Sequence, residues 1–158
     1  MLSLRQQVEE AVDNGAWEEM EKLVAENPRT VRYLLGMTYQ DDAQRRQHAA
    51  RAIALAGRYH QKLVQKVIRR LVWAMNDESG TNAQTAPEVL EAIAKEQPEL
   101  LLPFVPDLTR LAADCGLQAG LARTLRAVTQ GCPGEVGERM TRALSESMHR
   151  GGCHEPEK

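Results

Sequence analysis

Aromatic residues are scarce in this sequence: one phenylalanine, two tryptophans and three tyrosines among 158 residues. A core must therefore be assembled from Leu, Val, Ala, Ile and Met, a set that lets helices approach one another closely. Cysteine is scarce too. Cys115, Cys132 and Cys153 are odd in number and irregular in spacing, which does not read as a disulfide framework. No apolar run approaches the ~18–20 residues of a membrane span. The opening residues Met1-Leu2-Ser3-Leu4-Arg5-Gln6-Gln7 hold no apolar signal core. The expected compartment is the reducing cytoplasm, with no membrane partner. Gly-rich phosphate loops, dinucleotide fingerprints and a Ser-His-Asp order are missing. No catalytic residue, cofactor or metal is assigned from the sequence.

What the chain does have is helix. Ser3 is placed to cap a first helix that runs to about Asn14 and stops at Gly15. Trp17, Met20, Leu23 and Val24 form one apolar stripe of a second helix, which ends at Asn27-Pro28. Pro28 then opens a short third helix with Val31, Leu34 and Leu35, closed by Gly36. Asp41 or Asp42 caps a fourth, with Ala49, Ala52, Ile53 and Ala56 inward and Gly57 at its end. From about Tyr59 to Met75 the pattern is cleanest: Leu63, Val64, Val67, Ile68, Leu71, Val72 and Met75 mark a buried face.

Asn76 to Asn82 reads as a polar loop. Thr85 caps the next helix, with Pro87 in its first turn and Val89, Leu90 and Ile93 inward, ending near Gln97-Pro98. Pro103 and Pro106 flank the start of a helix with Leu108, Leu111 and Ala112. Leu117 to Val128 and Glu135 to Met148 supply the last two, and Gly151 to Lys158 reads as a disordered tail. About nine helices joined by short loops predict an all-α fold of stacked antiparallel pairs, with residues 1–150 as one domain.

The segment Asp41-Asp42-Ala43-Gln44-Arg45-Arg46-Gln47-His48-Ala49-Ala50-Arg51-Ala52-Ile53-Ala54-Leu55-Ala56-Gly57 resembles a short HEAT repeat of the PBS-lyase type. There an Asp opens the helix, an Arg follows, and Ala-rich packing leads to a terminal Gly. Trp73-Ala74-Met75-Asn76-Asp77-Glu78-Ser79-Gly80, followed by Ala86-Pro87-Glu88, is similar to a bacterial group of HEAT-like proteins of unassigned function. Thr81-Asn82-Ala83-Gln84-Thr85 departs from that group, which continues with glycine and tryptophan. The resemblance covers residues 41–130 and implies a short right-handed α-solenoid of the armadillo-like superfamily. HEAT-like scaffolds serve many functions.

Charge is segregated along the chain. Residues 43–76 hold eight cations (Arg45, Arg46, Arg51, Arg58, Lys62, Lys66, Arg69 and Arg70) and no acid. The first 27 residues hold seven acids against Arg5 and Lys22, and the whole chain carries a net charge of −2. Lys62, Lys66, Arg69 and Trp73 fall at spacings of 4, 3 and 4, on one helical stripe opposite the apolar face. With Arg45, Arg46 and Asp77 they form the candidate binding surface. Its expected role is protein–protein interaction or scaffolding. The alternative is nucleic-acid binding through the same stripe. Trp73 and Asp77 also look similar to the Trp-x-x-x-Asp of HEAT-like alkylation-repair glycosylases, where an indole stacks on the lesion and a carboxylate aids base loss.

Three weaker features read as structural. Asn76-Asp77-Glu78-Ser79 offers oxygen ligands without the spacing of a calcium loop, which favours a capping turn. His149, Cys153 and His154 lie too close to glycines for a fixed zinc geometry. Cys132 has no His beside it and reads as a structural thiol.

Overall fold

The computed structural model describes residues 1–77, 81–114 and 116–135. Glu78 and Ser79 of the polar loop, most of the helix expected over 135–148, and the tail with Cys153 and His154 lie outside the described residues. So do the side chains of residues 81–83. Among the described residues the fold is all-helical: α1 (Leu4–Asn14), α2 (Trp17–Glu26), α3 (Thr30–Met37), α4 (Ala43–Ala56), α5 (Gln61–Asn76), α6 (Thr81–Glu96), a 3-10 helix (Pro98–Phe104), α7 (Val105–Leu111) and α8 (Gln118–Gly131). No helix among them is long and apolar enough to cross a membrane.

The caps follow from side-chain chemistry. Ser3 accepts from the Gln6 N–H and the Gln6 side chain accepts from the Ser3 N–H, a reciprocal capping box. Gly15 takes the left-handed conformation (φ 61°) that a β-carbon disfavours, so its N–H can turn back to the last carbonyls of α1. Asp42, rather than Asp41, caps α4 by accepting from the Arg45 N–H. Two further caps come from histidines distant in sequence. A carbonyl oxygen can only accept, so each ring nitrogen donates. His48 Nδ1 lies 2.8 Å from the Val12 oxygen near the end of α1, and His60 Nε2 lies 2.8 Å from the Val24 oxygen near the end of α2. The Val24 oxygen is one that its helix leaves open, and the Val12 oxygen accepts from His48 in addition to the Gly15 N–H at 3.2 Å.

Consecutive helices pack in pairs, α1 with α2, α3 with α4, α5 with α6 and α7 with α8. The even-numbered helices α2, α4, α6 and α8 also pack on one another in succession. Alanine makes the close α4–α6 approach possible: Ala49, Ala52 and Ala56 of α4 and Ala86 of α6 are fully buried. Buried side chains form one continuous core from Val8 to Val128. Each fully buried Leu, Ile or Val in it contributes about 1.5–3 kcal/mol.

Four boundaries differ from the sequence expectation. Gly36 lies inside α3 and does not close it; the helix runs on to Met37. α6 begins at Thr81, so Pro87 sits within the helix and not in its first turn. Pro98–Phe104 winds into a 3-10 helix, because Pro98 and Pro103 withhold the N–H groups that a longer α-helix would use. The helix expected over Leu117 to Val128 spans Gln118–Gly131, with Gly131 as its last residue. Leu63, expected inward, is half-buried, while Val64, Val67, Ile68, Leu71, Val72 and Met75 of α5 are buried as expected.

Candidate functional site

α5 has two chemically opposite faces. Its inner face packs on α4, α6, α7 and the 3-10 helix. Its outer face exposes Lys62, Lys66, Arg69, Arg70, Trp73, Asn76 and Asp77. At 1.5 Å rise per residue, Lys62 to Trp73 spans about 16 Å along the helix axis. Trp73 is 64% exposed. The other tryptophan, Trp17, is half-buried, with the His48 ring edge-on at 5.3 Å and the Arg51 guanidinium 4.2 Å over its face. One indole is thus built into the fold and the other is presented outward.

The cations divide in the same way. Arg45 makes a bidentate pair with Asp13 at 2.8 and 2.9 Å and a bond to Gln40 Oε1 at 2.7 Å. The bond to Asp13 is the main cause that raises the Arg45 pKa above its ordinary value. Arg46 donates to the Gln40 and Asp41 carbonyls at 2.8 and 2.7 Å and meets Glu88 of α6 at 3.4 Å. Arg58 pairs with Glu96 at 2.8 Å. Lys62, Lys66, Arg69 and Arg70 make no ion pair among the described residues. Arg70 lies close enough to Tyr39 for its charge to oppose the rise in the phenol pKa that burial causes.

Of the expected surface residues, Lys62, Lys66, Arg69 and Trp73 therefore stand together on one open face. Arg45 and Arg46 do not join them; they tie α4 to α1, to the preceding turn and to α6. Asp77 is the C-terminal cap residue of α5, its N–H donating to the Trp73 oxygen at 3.0 Å. The i, i+4 spacing of Trp73 and Asp77 is thus part of a helix end.

Sequence reasoning missed a groove of about 690 Å³ between α4, α6 and α8, lined by Gln47, Arg51, Glu88, Glu91, Lys95 and Arg123 among others. Its charges are matched internally. Arg123 pairs with Glu91 at 2.9 Å, Lys95 reaches the same carboxylate at 3.9 Å, and Arg46 covers Glu88. Those partners lie 32 and 42 residues apart, beyond the reach of helical spacing; the only local signal was Glu91 and Lys95 at i, i+4.

Cys132 is half-buried, and burial, with Glu135 and Glu99 nearby, pushes its thiol pKa up, away from a reactive thiolate. Among the described residues no group of three or more His, Cys, Asp or Glu side chains is placed to hold a metal ion. Compared with protein-family models, curated proteins and solved structures, the chain matches none of them.

Proposed function

We propose that this chain is a non-enzymatic interaction module, a short HEAT-like solenoid whose contact surface is the outer face of α5 and whose partner is a protein with an acidic surface. The succession of packed helices α2, α4, α6 and α8 supports the solenoid reading. The observation that carries the docking reading is Trp73, 64% exposed among four cations that no described acid neutralises. An indole in water leaves a large apolar area uncovered, and Trp and Arg are the residues on which binding energy concentrates. The cations around it set the sign of the partner and speed its encounter.

The same face has the parts of a single-strand platform, a stacking ring beside phosphate-binding cations. The net charge of −2 and the acidic α1–α2 region disfavour a general polyanion site. Fluorescence anisotropy separates the two. A labelled Glu-rich peptide carrying leucines should bind saturably at physiological salt. The combined variant Lys62→Gln, Lys66→Gln, Arg69→Gln should weaken it at least tenfold. Labelled single-stranded DNA should not saturate. Saturable DNA binding that falls steeply with salt, and is lost in the triple variant, would replace the protein reading with the nucleic-acid one.

A further inference from the structure

The chain carries a surface complementary to its own α5 face. Leu2, Ala11 and Ala16 line a cleft of about 400 Å³ at the α1–α2 junction, together with the carboxylates of Glu10 and Glu19. Ala11 is buried at the floor, while Ala16 is half-buried and Leu2 is 45% exposed, so Leu2 and Ala16 offer apolar surface to a visitor. Glu10 and Glu19 are exposed and make no ion pair among the described residues, whereas Glu9, Asp13 and Glu21 are bound to Arg5, Arg45 and Tyr59. On α5 the arrangement is inverted: an exposed indole with Arg69 and Arg70 one turn before it.

We propose that Trp73 of one copy seats in the α1–α2 cleft of a second copy, with Arg69 and Arg70 facing Glu10 and Glu19. This inference rests on the reading of α5 as a docking face and names its occupant. The knob and the cleft lie on different helices, so every copy offers both, and association is between unlike surfaces. Charge segregation makes it possible despite the net charge of −2, because the two patches that meet are of opposite sign.

Sedimentation equilibrium of the full chain tests this. The average mass should rise above that of the monomer with protein concentration, and less so as salt is raised from about 0.05 to 0.5 M, where screening shortens to a few ångströms. Trp73→Ala keeps the cleft and loses the knob. The double variant Glu10→Lys, Glu19→Lys keeps the knob and reverses the cleft. Each alone should stay monomeric at a concentration where the wild type associates; Trp73→Ala should melt as the wild type does, and the double variant slightly lower, because Glu19 lies in the first turn of α2, where a cation opposes the helix dipole. Mixed in equal amounts, the two should recover the mass of a dimer, each supplying what the other lacks. A wild type that stays monomeric throughout, or a mixture that does not recover association, would overturn the inference. If either result is found while the acidic peptide still binds in a Trp73-dependent way, the self-docking fails and the docking face stands. If peptide binding fails as well, both fall.

Discussion

Gly131 lies so close to Pro98 that a β-carbon on it would come within 2.3 Å of the proline Cγ and 2.8 Å of its Cβ. Gly120 stands in the same relation to Pro87, whose Cβ would lie 2.5 Å from the added atom. Two glycine–proline contacts thus seat α8 against the 3-10 helix and against α6. Glycine and proline serve here as close-packing surfaces.

Adding one methyl group at these glycines should therefore have opposite effects at different positions. Gly131→Ala and Gly120→Ala should each destabilise by about 1–3 kcal/mol through overpacking. Gly36→Ala should stabilise by about 0.5–1 kcal/mol, since Gly36 is inside α3 and nothing lies within 4 Å of its would-be β-carbon. Thermal denaturation followed by circular dichroism gives the sign of each. A destabilised Gly36→Ala or an unaffected Gly131→Ala would contradict the packing described.

Gln97 is buried, and its amide, oriented to satisfy both neighbours, donates to the Gly57 oxygen at 2.9 Å and accepts from the Arg58 N–H at 2.6 Å. It holds the turn after α4 from the end of α6. Gln97→Leu should cost about 1–3 kcal/mol, because it leaves the buried Gly57 oxygen without its partner, while the Arg58 N–H keeps its bond to the Leu55 oxygen at 3.1 Å. Urea denaturation measures this directly. A Leu variant as stable as the wild type would mean that the turn finds other partners.

The inner face of α5 allows the sharpest test of the core. Leu71 is 1% exposed and Val67 7%. Leu71→Ala should destabilise by about 2–5 kcal/mol. Leu71→Asp should unfold the chain, since an unpaired carboxylate would enter the core. Retention of the wild-type melting temperature by either would show that α5 is turned the other way.

The parts legible in the sequence were those carried by local signals. Seven apolar positions at helical spacing marked the inner side of α5, and the same spacing put Lys62, Lys66, Arg69 and Trp73 on the other. Asp41-Asp42 and Gly57 bracketed α4 because capping is a matter of a few adjacent residues, with the structure choosing Asp42. Prolines misled where their tertiary setting decided the outcome. Pro87 resembled a first-turn proline, yet it lies within α6, where its ring packs against Gly120 of α8. The 3-10 helix was hidden because Pro98-Glu99-Leu100-Leu101-Leu102-Pro103 has neither helical nor strand spacing. The fate of Arg45 was not legible at all. Its partner Asp13 is 32 residues away, and only the packing of α4 against α1 brings them together.

That division of the cations makes a prediction of its own. Arg45→Gln should leave acidic-peptide binding unchanged and reduce stability by about 0.2–1 kcal/mol, the range of an exposed ion pair. Lys66→Gln should do the reverse, weakening binding with no change in melting temperature. Anisotropy and thermal melts on the same two variants are sufficient. Equal effects of both on binding would return Arg45 to the docking surface.

The most direct test is to ask what touches the outer face of α5 in the living cell. Asn76 is exposed on that face, one turn beyond Trp73, and Arg32 is exposed on α3. A photo-crosslinking p-benzoylphenylalanine replaces Asn76 in one strain and Arg32 in another. Protein adducts that form from position 76, vanish when Trp73→Ala is added, and do not form from position 32 are the predicted result. Adducts to nucleic acid alone, or protein adducts indifferent to Trp73, would contradict it.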